Sequence, residues 1–85
     1  MIELKSWPSG VVRFGDGILE LTNSDLRVHV RDIERLTILP PKMGRVSLEV
    51  RYRAGLNTNT TSAWVEIGEE KRAAELVAAV QAARG

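Results

Sequence analysis

Eighty-five residues with a formal net charge of +1, 44% of them hydrophobic and 27% charged, have the composition of one ordinary globular domain. A chain this short buries only about 60–65% of its unfolded surface, so every apolar face is needed and a second core is excluded. The absence of cysteine removes disulfides and thiolate metal sites and fits a reducing cytoplasm, and no stretch approaches the roughly 20 apolar residues that span a bilayer.

The chain opens on Ile2-Glu3-Leu4-Lys5-Ser6-Trp7, which alternates like a strand, lacks a signal-peptide core and stops at the turn signal Pro8-Ser9-Gly10. Val11 to Phe14 and Ile18 to Thr22 flank Gly15-Asp16-Gly17, whose glycines supply the positive φ of a hairpin turn. Asn23-Ser24-Asp25 turns into Leu26 to Arg31, where Leu26, Val28 and Val30 alternate inward. Ile33 to Leu39 mixes one helical turn (Ile33, Leu36, Thr37) with the β-rich run Leu36-Thr37-Ile38-Leu39, and reads as a bend entering a strand. Pro40-Pro41-Lys42-Met43-Gly44 lacks two backbone donors and is expected outside any sheet. Val46 to Arg53 is expected to be the longest strand, with Ser47, Glu49, Arg51 and Arg53 outward, and Ala54 to Thr61 a mobile polar loop. Ser62 to Ile67 is the last strand.

After Gly68 the apolar period changes from two to helical spacing. Gly68 is the expected N-cap, Glu69 and Glu70 complement the positive helix end, and Arg84 the negative one. Ala73, Leu76, Val77, Val80 and Ala83 form the expected buried stripe, with Arg72, Glu75 and Gln81 toward water. The expected architecture is therefore mainly β with one C-terminal α-helix: residues 1–85 as a single domain, strands over about 2–67, helix over about 69–84. Seven short strands would make an open barrel or rolled antiparallel sheet capped by the helix.

No catalytic constellation is present. The serines have no base at a recognisable spacing, and Glu69 and Glu70 point in different directions. Gly15-Asp16-Gly17 leads into a strand rather than a helix N-terminus, so it is a turn and not a phosphate loop. His29, the only histidine, has no second imidazole or thiolate to share a metal, and Arg27 and Arg31 flank it. No catalytic residue, metal or cofactor is expected.

Charge is uneven. Between Arg27 and Arg53 there are seven Lys or Arg against three acids, a local +4. Arg27, His29 and Arg31 share one outward strand face and Arg51 and Arg53 another, which together would form a cationic strip for membrane phosphates or nucleic acid. Arginines on exposed strands also serve simply to discourage edge pairing. Trp64 is out of phase with Val65 and Ile67, which places it on the outer face or on a bulged strand, as a binding hot-spot candidate or packed under a loop. Trp7 is the other large aromatic.

Val12-Arg13-Phe14-Gly15-Asp16-Gly17-Ile18-Leu19-Glu20-Leu21, Ile33-Glu34-Arg35-Leu36 and the Ala-rich segment Glu69 to Ala83 resemble the opening hairpin, a strand start and the closing helix of the small bacterial pleckstrin-homology-like domains. The resemblance covers most of the chain and implies the pleckstrin-homology superfold and a non-catalytic interaction or targeting module. Lipid-binding members carry a basic pattern across their first hairpin. Lys5 and Arg13 lie in that neighbourhood, but Gly15 stands where the last arginine belongs, so phosphoinositide binding is not implied. The resulting expectation is a cytoplasmic module, able to act at a membrane surface, that binds a protein partner or forms a homodimer through a sheet edge or the Trp64 face. The alternative is an anion-binding module for anionic lipid or nucleic acid, using Arg27, Arg31, Arg51 and Arg53.

Overall fold

The computed structural model describes residues 1–85. Seven strands precede one helix: β1 (Ile2–Trp7), β2 (Val11–Gly15), β3 (Ile18–Leu21), β4 (Leu26–His29), β5 (Ile33–Lys42), β6 (Arg45–Ala54), β7 (Asn57–Val65) and α1 (Glu70–Arg84). All neighbours are antiparallel, in the order β4-β3-β2-β1-β7-β6-β5, so the sheet is open with β4 and β5 at its edges. Three two-residue turns use the positive φ that tight hairpins need. Asp16-Gly17 and Met43-Gly44 carry it at both central positions and the Gly55-Leu56 turn at the first alone.

β1 serves two halves of the sheet. Ile2 to Lys5 pair with Phe14 to Val11 of β2, whereas Ser6 and Trp7 pair with Val65 and Trp64 of β7. Where β7 stops short, other groups satisfy the rest of that edge. The Glu66 N–H donates to the Lys5 carbonyl at 3.0 Å, the Lys5 N–H to Glu69 Oε1 at 3.2 Å, and Arg72 to the Glu3 carbonyl at 3.1 Å. The start of α1 is thereby fastened to β1, and Arg84 fastens its end to β5 by donating to the Glu34 carbonyl at 2.7 Å.

The helix closes the rolled sheet. Ala73, Leu76 and Val80 are fully buried against a core that includes Leu4, Val12, Leu19, Leu21, Leu48, Val50 and Val65. Ala83 is exposed and Ala79 half-buried, so the buried stripe ends one turn earlier than the spacing suggests. The N-cap is Glu69 rather than Gly68. Gly68, at φ 94°, is the turn before it, and its N–H donates to the Glu70 carboxylate at 3.1 Å.

Four expectations about the strands are corrected. Pro40 and Pro41 lie inside β5, because β5 is an edge strand whose ladder to β6 is irregular between Leu39 and Lys42, so neither proline is asked to donate. Ala54 to Thr61 is not a loop: it is the tip of the β6–β7 hairpin, paired in register from Ala54↔Asn57 through Val50↔Thr61. β4 ends at His29, and Val30–Asp32 is a 3-10 turn rather than further strand, while Ile67 lies beyond β7 and is exposed.

Leu76→Ala is expected to cost about 3 kcal/mol, since Leu76 is the largest side chain that the helix buries. At about 4–8 °C per kcal/mol for a domain of this size, differential scanning calorimetry should show Tm falling by about 10 °C or more.

Candidate functional site

The expected cationic strip does not form by strand adjacency within the sheet, although the Val30–Asp32 turn that carries Arg31 packs against β6. β4, which carries Arg27 and His29, is separated from β6, which carries Arg51 and Arg53, by β3, β2, β1 and β7 in the sheet order. Arg27 is exposed, opposite Glu20, at the rim of a hollow of about 160 Å³ lined also by Met1, Arg13, Asp16, Ile18 and Glu20. Glu20 is already engaged by Arg13 at 3.1 Å. His29 is half-buried and local in role: its Nδ1 accepts from the Arg31 N–H at 3.2 Å, capping the 3-10 turn, and its ring lies beside Gly17. Arg31 is exposed within that turn.

Arg51 and Arg53 converge on a single carboxylate. The ladder shifts between Ile33↔Tyr52 and Arg35↔Arg51, so Glu34 is the extra residue of a bulge. Its side chain meets Arg51 at 3.4 Å and Arg53 at 3.5 Å, while its carbonyl, freed from the ladder, receives Arg84. Part of the positive charge counted in this segment is thus matched locally. No cluster of three or more His, Cys, Asp or Glu side chains is placed to hold a metal ion.

Trp64 lies on the outer face, as its phase requires, and it is not alone. Trp7 is its direct cross-strand partner, Ser47 faces it from the other side, and Leu39 faces Ser47, so a row Trp7–Trp64–Ser47–Leu39 crosses four strands. Ser47 has the outward register expected of it, yet it is only 9% exposed between its larger neighbours. It forms the low point of the row. Trp7 and Trp64 remain 40% and 36% exposed. The Met43-Gly44 turn rises beside them, and Trp7, Trp64, Lys42, Met43 and Arg45 enclose a shallow concavity of about 300 Å³.

Arg45 gives this concavity its charge. Its guanidinium carbon sits 4.4 Å from the centre of the Trp7 ring, a cation–π contact worth about 0.5–1 kcal/mol at a partly exposed site. The nearest carboxylate is Glu66, at a long 3.9 Å, and Arg45 Nε has no hydrogen-bond partner. Lys42, directly opposite Arg45 across the turn, has no ion-pair partner within 4.0 Å. The hollow therefore joins two indoles to two cations, of which Lys42 has no ion-pair partner. Trp64 was legible from its phase. Trp7, Lys42 and Arg45 were not, because only the β1–β7 register and the Met43-Gly44 turn bring them together.

Comparison with protein-family models, with curated proteins and with solved structures returns no match.

Arg45→Ala should uncover the Trp7 ring at a stability cost of no more than about 1 kcal/mol. In a Trp64→Phe background, where Trp7 is the only indole, the expected outcome is increased quenching by acrylamide with little change in Tm. Unchanged quenching would place the guanidinium elsewhere in solution.

Proposed function

We propose that the chain is a non-catalytic, cytoplasmic interaction module of pleckstrin-homology-like build that binds a protein partner through the Trp7–Trp64 concavity. Support for the build is the succession of antiparallel strands closed by a C-terminal helix, with β1 shared between the two halves of the roll. The observation that carries the binding reading is the exposed tryptophan pair flanked by Arg45 and Lys42.

Two adjacent half-exposed indoles are a costly feature to leave in water, and tryptophan and arginine are the side chains most enriched among binding hot spots. The charge selects the occupant. Arg45 and Lys42 oppose a second cationic patch but suit an extended peptide that sets an apolar side chain between the rings and a carboxylate on either cation. A membrane or nucleic-acid ligand held by Arg27, Arg31, Arg51 and Arg53 has less support, since Glu34 already engages Arg51 and Arg53 and Arg27 lies on β4, with four strands between it and β6 in the sheet order.

Selection of peptides from a random displayed library tests the reading. Binders rich in Asp or Glu with one aromatic or large aliphatic residue are expected, and Trp64→Ala should weaken them roughly 30-fold or more, the size of a hot-spot truncation. Binders that lack acidic residues, or that tolerate Trp64→Ala, would overturn it. Affinity lost with salt and with Arg51→Glu/Arg53→Glu, but not with Trp64→Ala, would point to the anion-binding alternative.

A further inference from the structure

The edges of this sheet are guarded at three places and open at one. β4 is only four residues long and carries Arg27. β5 has the Glu34 bulge near its start and Pro40-Pro41 near its end. These are the usual devices against strand addition. The side of β1 beyond β7 is filled by Glu66, Glu69 and Arg72. β7 is different. It pairs with β6 from Asn57 to Trp64 but with β1 only at Trp64 and Val65, because the chain leaves the sheet at Pro8. From Asn57 to Ala63 its far side faces no strand.

The register shows which groups are left over. A two-residue hairpin closes with a hydrogen-bonded pair, here Ala54↔Asn57, so the bonded pairs continue at Tyr52↔Asn59 and Val50↔Thr61. Thr58, Thr60 and Ser62 therefore turn their N–H and C=O groups away from β6, and no other protein group bonds to them. This edge has no charge, no proline and no bulge, and its side chains are the β-branched or small hydroxyl type that suits a ladder. α1 packs on β1, β2 and β5 and leaves it clear. The 3-10 turn Thr22–Ser24 approaches β7, with Asn23 bonded to the Trp7 carbonyl, so it flanks the Trp64 end and leaves Thr58 and Thr60 most open.

We propose that this edge is the seat of a second copy of the same chain, joined β7 to β7 in antiparallel about a two-fold axis at Asn59. In that register Thr58 faces Thr60 of the second copy and Thr60 faces its Thr58, and both pairs exchange N–H···O=C bonds. Hydroxyl-bearing residues face one another across the join, a favourable cross-strand pairing. The fully exposed Leu56 at the hairpin tip arrives opposite Ser62, next to Trp64 of the other copy, so an unexplained apolar side chain gains a neighbour. The neutral edge accepts its own copy without repulsion, whereas the arginines of β6 lie one strand further out on either side. Each chain has a single unguarded edge, so pairing closes at the dimer instead of growing into a fibre. The proposal does not depend on what the Trp7–Trp64 concavity binds.

Sedimentation equilibrium of the full chain, with Thr60→Pro as the variant, is the test. Because the Thr60 N–H points away from β6, proline there removes no bond within the chain and should leave Tm nearly unchanged. Across the two-fold it removes two donors, one per copy, and should raise the dimer dissociation constant roughly tenfold or more. Thr58→Lys/Thr60→Lys is the second variant. It keeps every N–H but sets like charges opposite each other, so its dimer should be lost at low salt and partly restored at high salt. A wild-type chain that stays monomeric at its solubility limit would overturn the proposal. So would a wild-type dimer that both variants leave intact. Peptide binding at Trp64 should persist in both variants, which separates a failure here from a failure of the binding reading.

Discussion

The fold depends on how the short strand β1 has both of its sides satisfied. A backbone group left unpaired in a core of this size costs a sizeable fraction of the few kcal/mol that hold such a domain together. β2 serves one side along Ile2 to Lys5. The other side is served in sections: β7 at Ser6 and Trp7, the Glu66 backbone at Lys5, and the Glu69 and Arg72 side chains at Lys5 and Glu3. The helix is therefore placed by polar bonds to β1 as well as by its apolar stripe. The same division puts the two tryptophans side by side and leaves one side of β7 open from Asn57 to Ala63.

The alternation of Val12, Phe14, Leu19, Leu21 and Val28, and the later change to helical spacing, were enough to read the succession of strands and the closing helix, since buried faces repeat with the period of their element. Where sequence pattern and structure differ, the reasons are physical. Asn57-Thr58-Asn59-Thr60-Thr61 has the polarity of a loop, but both faces of a projecting hairpin are in water, so its strand character rests on β-branched threonines and on the Gly55 turn and not on any apolar face. Pro40 and Pro41 forbid only a central strand, and whether a strand is central is decided by topology. Alternation alone puts Ser47 on the outer face, and its burial comes from Trp64 and Leu39 on neighbouring strands.

The site shows the same limit. Charge and phase can be read along one strand, and so Arg27, His29, Arg31, Arg51, Arg53 and Trp64 stood out. What decides their partners is register between strands. One inserted residue, Glu34, engages Arg51 and Arg53 through its carboxylate and Arg84 through its carbonyl, a set of contacts that no single strand's pattern reveals. Lys42 and Arg45, unremarkable in the sequence, acquire their role from a two-residue turn that sets them opposite each other beside the indoles.

The bonds that fasten the helix join residues 64, 69 and 50 positions apart in the chain. Contacts so remote in sequence are made late and slowly, because the entropy of closing long loops must be overcome before the bonds form. During synthesis the β1–β2–β3 meander can begin to pair early, but its first strand keeps a bare side until residues 66–84 have emerged. Residues 66–84, made after all seven strands, are the ones that seal β1, so the nascent chain passes through a stage in which β1 is available to any other extended segment nearby.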